Sequence, residues 1–369
     1  MNGIWGLVVT SVGIASVIGA LYLIWSIGRF PGIKKLTKDK KILKFLVSLL
    51  ILGAFFGLFC LTMSVINAVI ILIHVMLFRL IFDLAGLIIK RITKKKSEFY
   101  WQGWGSFIAS FIYLAIAFFL CNHVFTTVYD LDTDKAIGNL KIVMFADSHI
   151  GATFDGDGFM DEIEKINAEN PDIVFIAGDF VDDGTTRDDM LKACEALGKI
   201  EAKYGVWYAY GNHDKGYSGR NFRGFSASEL YVQLGVNHVH VMEDKVQEVA
   251  DGIVVVGRAD ASNRNRQSIQ ALTEGIDDDK YIIVLDHQPT DYENEAASKS
   301  DLVLSGHTHG GQFFPITLLE DTFAANNRTY GYEKRNGTDF IVTSGIADWE
   351  LKFKTGTKSE YVVINVRGK

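Results

Sequence analysis

Residues 141–149 read KIVMFADSH, an apolar run (Lys141–Ala146) that ends in two alternate side chains able to hold a cation, Asp147 and His149. The run is rich in β-branched and aromatic residues and too short for a helix, so it reads as a buried strand. The pattern returns four times. Asp172–Ala177 precedes GDFVDD at 178–183, Gly205–Tyr210 precedes GNHD at 211–214, Tyr281–Leu285 precedes DH at 286–287, and Leu302–Ser305 precedes GHTHGGQ at 306–312. In sheets whose strands are joined by helical crossovers, ligands gather beyond the carboxyl ends of the strands. Five strand-end loops can therefore deliver Asp, His and Asn side chains to one point, and five of the nine histidines fall in them.

A two-metal hydrolase needs cations ~3.5–4 Å apart, a bridging carboxylate, and neutral imidazole or amide ligands that leave the pair a net positive charge. The fragments supply that set. Asp147, His149 and His309 can chelate one ion, Asn212, His287 and His307 the other, and Asp179 can bridge. Mixed nitrogen and oxygen ligation suits two divalent ions of Mn, Fe, Zn, Co or Ni better than Ca, and affinity order alone does not choose among them; Mn is the expected ion. A hydroxide bridging the ions would attack phosphorus, and His213, next to Asn212, would protonate the leaving oxygen or neutralise its developing charge. A carboxylate behind the imidazole fixes its tautomer, which makes Asp182 and Asp214 the expected partners of His213. The segment GRADASNRNR at 257–266 adds Arg258, Arg264 and Arg266, readable as solvated charge or as a clamp for a second phosphate.

The series Asp147-x-His149, Gly178-Asp179, Gly211-Asn212-His213-Asp214, His287 and Gly306-His307-x-His309 resembles the calcineurin-like metallophosphoesterase superfamily over roughly residues 138–369. Its GHTHGGQ ending resembles the YkuE-like membrane-anchored branch, whose members carry several spans before the phosphoesterase domain. The resemblance implies a four-layer α/β/β/α sandwich with a dinuclear centre at its strand ends. It also implies hydrolysis of phosphate esters or anhydrides, some relatives cleaving the pyrophosphate of UDP-diacylglucosamine. In the tail SGIADWELKFK (344–354) many relatives carry an Arg after a Pro, and here Lys352 stands without the proline.

Composition divides the chain. Residues 1–128 are overwhelmingly apolar and hold 13 Lys+Arg against 3 Asp+Glu, leaving 24 basic and 41 acidic residues, a net charge of −17, for residues 129–369. Such an acidic domain repels nucleic acid, and bound cations would offset part of its charge. The three cysteines make no disulfide framework. Ile4–Ile27 has the ~20 residues a bilayer crossing needs. It lacks a basic leader and a cleavage site, so it reads as a retained span. Ile42–Lys90 would reach ~73 Å as one helix, which calls for two spans with a turn near Thr62–Asn67. A fourth span is expected over Ser106–Val128. The predicted organisation is thus an all-α four-helix transmembrane module (1–128), a linker (129–137) and an α/β metallophosphoesterase domain (138–369).

The links after spans one and three are rich in Lys and Arg and belong in the cytoplasm, which puts residues 129–369 on the extracytoplasmic face of a multi-pass cell-membrane protein. His74, Arg79 and Asp83 lie within the third span, where ionisable groups are costly, and the four-residue spacing of the last two fits an internal ion pair. The expected function is hydrolysis of a phosphate ester or pyrophosphate bond of a lipid-linked substrate, with the bilayer as the partner. The alternative is a metal-bound scaffold or receptor that does not turn over.

Overall fold

The computed structural model describes residues 3–95, 97–217, 220–314 and 326–369. Two compact units emerge, one of residues 1–118 with 350–352, the other of 119–349 with 353–369.

The first unit is helical: α1 (Gly3–Ile27), the short α2 (Pro31–Leu36), α3 (Lys41–Thr62), α4 (Val65–Thr93) and α5 (Trp101–Asn122). Among the described residues α3, α4 and α5 are long and apolar enough to cross a bilayer, and Gly13–Ile27, within α1, is a shorter apolar stretch. The turn expected near Thr62–Asn67 is present at Met63–Ser64, where the Ser64 hydroxyl caps α4 by accepting from the Asn67 amide at 3.2 Å. Arg79 and Asp83 do pair, at 2.6 Å, and the pair is part of a larger network. Asp83 also takes Arg29 at 2.7 Å and the Tyr22 hydroxyl at 2.7 Å, while Arg79 donates to Ser26 and Tyr100. Residues of α1 and α4, with Arg29 just after α1 and Tyr100 just before α5, thereby satisfy one another's polar groups, which apolar surroundings demand.

The second unit alternates strands and helices. In chain order it holds β1 (Phe125–Asp132), β2 (Asn139–Phe145), α6 (Gly156–Ala168), β3 (Ile173–Ala177), α7 (Arg187–Leu197), β4 (Val206–Ala209), α8 (Arg220–Arg223), α9 (Ala227–Val236) and β5 (Val239–Met242). It continues with β6 (Lys245–Ala250), β7 (Ile253–Gly257), α10 (Ile269–Thr273), β8 (Tyr281–Leu285), α11 (Tyr292–Ala296), β9 (Leu302–Ser305), β10 (Gly331–Arg335), β11 (Thr338–Val342) and β12 (Glu360–Arg367). Two six-stranded sheets form, in the orders β1-β12-β2-β3-β4-β5 and β10-β11-β9-β8-β7-β6. The five apolar runs of the sequence are β2, β3, β4, β8 and β9.

Period-two alternation builds the layers. Ile142 and Met144 of β2, Phe175 of β3, Val255 of β7 and Ile283 of β8 meet between the sheets. The alternate residues face outward. Val143, Phe145 and Ile176 pack under α6, α7 and α9, while Val254, Val256, Ile282 and Val284 pack under α10 and α11. The result is the expected four-layer α/β/β/α sandwich. Serine, threonine or aspartate caps open its principal helices, as with Asp155 on Gly158 at 2.8 Å and Thr186 on Asp189 at 3.1 Å.

One boundary needs correction. Residues 125–132, read as the end of a span and the start of a linker, are strand β1, paired in parallel with β12 from Phe125–Glu360 to Asp132–Arg367. The apolar helix ends at Asn122, and the alternation of FTTVYDLD is that of an edge strand.

Candidate metal centre

The expected ligands all lie just past carboxyl strand ends: Asp147 and His149 after β2, Asp179 after β3, Asn212 to Asp214 after β4, His287 after β8, His307 and His309 after β9. Within each sheet these strands run parallel, β2 to β3 to β4 and β8 to β9, so each set of loops leaves from one edge. Backbone amides stitch the loops together. The Asp147 amide donates to Gly178 O at 3.0 Å, the His149 amide to Asp179 O at 3.1 Å, the Gly306 amide to His287 O at 3.0 Å, and the His307 amide to the Asp147 carboxylate at 2.9 Å.

This convergence is strained. Asp147, His149, Asp179, His307 and His309 all have left-handed backbones, with φ of 55°, 35°, 52°, 73° and 48°. Non-glycine residues adopt that region at a cost and concentrate in it at functional sites. Two glycines make the approach possible. A Cβ on Gly178 (φ 87°) would stand 2.6 Å from both the Gly211 nitrogen and His287 Nδ1, and one on Gly211 would stand 2.1 Å from Asp179 Oδ1.

Two groups of ligand atoms result, Asp147–His149–His309 and Asp179–His287–His307, each within 4.8 Å among its members and each able to hold an ion. Asp179 Oδ2 lies 3.1 Å from His287 Nε2 and 3.8 Å from His149 Nε2, so one carboxylate faces both groups. The far ring nitrogens are held. His287 Nδ1 bonds the Ala177 carbonyl at 2.7 Å and His149 Nδ1 meets Asp182 Oδ2 at 3.1 Å. Among the described residues that leaves Nε2 of His149, completely buried and 3.8 Å from Asp179 Oδ2, with no hydrogen-bond partner, while Nε2 of His287, equally buried, faces the Asp179 carboxylate. Buried imidazole nitrogens aimed at one carboxylate, that of His149 without a partner, fit a cation between them, because burial without a partner is costly. Burial, with His287 beside it, pushes His307 down to about 4, so its imidazole is neutral and able to ligate at working pH. Burial opposes the charge on Asp179, yet His287 and His149 hold its carboxyl below the usual range.

Asn212 sits at the rim, its Nδ2 donating to the Tyr217 hydroxyl at 2.8 Å. His213 lies against His149 and Tyr217, ring centroids 5.1 Å apart in both cases, and 6.0 Å from Trp349. Burial lowers its pKa, Asp179 opposing. Neither partner expected for His213 is behind it. Asp182 backs His149, and its other oxygen caps the turn through the amides of Gly184 and Thr185 at 2.7 and 3.1 Å. Asp214 accepts four backbone amides, those of Asp179, Phe180, Val181 and Gly211, at 2.9, 2.8, 3.1 and 2.6 Å. It ties two ligand loops together.

The arginine clamp is also corrected. Arg258 is buried, with NH1 at 2.7 Å from Asp286, 2.9 Å from Asp291 and 3.2 Å from Glu295. Arg266 takes Asp286 at 3.1 Å. These guanidinium groups are consumed by carboxylates of the loop after β8 and of α11, and Arg264 alone of the three is exposed. The sequence reading missed Asp348 and Lys354, which pack behind His309. No fragment signature marks them, since both come from the loop between β11 and β12.

Residues 140–311 match the family described as calcineurin-like phosphoesterase. The chain is 31% identical over 247 residues to an uncharacterized metallophosphoesterase of Campylobacter jejuni, covering 65% of this chain and 62% of that one. It is 30% identical over 238 residues to a transmembrane protein with metallophosphoesterase domain from Danio rerio, covering 61% and 53%. It is 28% identical over 231 residues to the uncharacterized metallophosphoesterase YkuE of Bacillus subtilis, covering 62% and 79%. The chain thus spans between half and two thirds of the length of the first two.

Proposed function

We propose that the protein, whose residues 140–311 match the calcineurin-like phosphoesterase family, is a membrane-anchored dinuclear-metal phosphoesterase that hydrolyses a phosphate ester or pyrophosphate bond of a lipid-linked substrate. The observation that carries the reading is the pair of ligand groups facing Asp179, with Nε2 of His287 at 3.1 Å from its carboxylate and the buried Nε2 of His149 lacking a partner among the described residues. Asp147, His149 and His309 would hold one ion and His287, His307 and Asn212 the other, Asp179 bridging. Two divalent cations held there supply an acidic water and positive charge for the phosphoryl oxygens.

The protein's own groups do the rest. Asp182 and the Ala177 carbonyl fix the tautomers of His149 and His287 so that Nε2 faces inward. His213, neutral because burial lowers its pKa, offers a ring N–H to the leaving oxygen. Tyr217 and Trp349 place aromatic surface beside it, which suits an amphiphilic leaving group.

The lipid-linked substrate is supported by α3, α4 and α5, since one helix would suffice for anchoring. The basic links Arg29–Lys44 and Lys90–Lys96 favour a cytoplasmic side for both, and with α1 as a fourth span the phosphoesterase domain falls on the opposite face. The test is a screen of the detergent-solubilised full chain, supplied with manganese, against lipid phosphates, lipid pyrophosphates and soluble phosphodiesters, with Asp179→Ala as control. Preferential turnover of a lipid-linked substrate is expected. Equal turnover of soluble esters would overturn lipid specificity, and no turnover beyond the control would overturn the enzyme.

A further inference from the structure

The imidazoles of the two ligand groups are secured unequally. His149 and His287 are completely buried, so packing fixes them, whereas 14% of the His309 side chain is exposed. His309 opens the turn His309–Gly311, and residues 309–312 have φ of 48°, 62°, 74° and 55°. A ligand on such a run receives no rigidity from a helix or strand, and a site loose by ~1 Å loses its function.

The anchor comes from a sixth loop. Asp348, 1% exposed, brings Oδ1 to 3.2 Å from His309 Nδ1. Gln312, at the other end of the same turn, donates to Asp348 Oδ2 at 2.5 Å and to the Phe353 carbonyl at 2.8 Å. Both ends of the turn therefore dock on one carboxylate. Behind it stands Lys354, fully buried, with Nζ 3.6 Å from Asp348 Oδ2 and donating to the Ser344 carbonyl at 2.7 Å. A lysine is almost never fully buried unless paired, and the carboxylate it meets is Asp348.

We propose that Asp348, backed by the buried Lys354, is a positioning residue that fixes the ring and tautomer of His309, and so sets the affinity of the ion held by Asp147, His149 and His309. The proposal rests on the dinuclear reading and adds to it a dependence of one ion, not both, on the β11–β12 loop. Carboxylates behind ligating histidines typically change metal affinity about 10- to 100-fold.

The test uses the full chain in detergent and manganese(II) alone, with bound ions counted by equilibrium dialysis and stability read as Tm. Wild type is expected to take two ions. Asp348→Ala should keep one and bind the second about 10- to 100-fold more weakly. Because that variant strands Lys354, the double variant Asp348→Leu with Lys354→Met removes both charges together. Recovery of Tm with the second ion still weak supports positioning. Recovery of Tm and affinity together, or two ions at unchanged affinity in Asp348→Ala, overturns the proposal and leaves the dinuclear reading standing. Fewer than two ions in wild type overturns that reading and the proposal with it.

Discussion

At the scale of single residues, the site depends on side chains that burial has stripped of water and left facing one another. Replacing Asp179 by Asn keeps its shape but removes the charge shared by both groups, so hydrolysis should fall by at least about three orders of magnitude, read as kcat/KM at saturating manganese. His213 is held below the ordinary imidazole pKa, so its neutral form persists to lower pH and imidazolium gathers only beneath that value. Activity that uses the neutral ring should therefore be constant through pH 7 to 8 and decline under about pH 6.5. A pH profile of His213→Gln that keeps the same acidic limb would contradict that assignment. The ligand residues were legible in the sequence because each follows a strand at a fixed short offset. Arg258 was misread because nothing local announces that Asp286, Asp291 and Glu295 close around it. Truncating Arg258 to Met should cost about 3–5 kcal/mol in a denaturation experiment, since buried Glu295 would lose its cation and Asp286 and Asp291 would be left with Arg266 alone.

Among the elements, the strand-end loops matter more than the strands. Gly178 has φ of 87° and no room for a Cβ, so Gly178→Ala should destabilise by about 1–3 kcal/mol and weaken manganese binding in the same protein. Strands β2, β3, β4, β8 and β9 were legible from composition alone, being short apolar runs bounded by turn residues. β1 was not, because Phe125–Val128 continues the hydrophobicity of α5 and the hydropathy signal runs across the break at Asn122. β1 covers an edge of the first sheet by pairing along all of β12. A chain begun at residue 134 should therefore expose that edge and show lower Tm and more aggregation than one begun at residue 119. The β11–β12 loop escaped the sequence reading for a different reason. Asp348 acquires meaning only through contacts with a turn more than thirty residues away in the chain, and Lys354 through Asp348.

For the molecule as a whole, an apolar helical unit and an acidic sandwich occupy one chain, and the charge division of the sequence foreshadowed both. The division into layers was legible because period-two alternation specifies which strand face meets the other sheet. The membrane sidedness proposed from the basic links makes Arg264 accessible from outside: a cysteine placed there should react with a membrane-impermeant maleimide in intact cells, and protection until lysis would reverse the orientation. The central claim is that seven strand-end side chains hold two cations that hydrolyse phosphate bonds. It is tested most directly by measuring manganese stoichiometry and phosphodiester hydrolysis together on one preparation of the full chain, beside Asp179→Asn. Two ions per chain with hydrolysis that disappears in the variant is the result predicted, and a chain that binds no manganese, or hydrolyses equally well without Asp179, would contradict it.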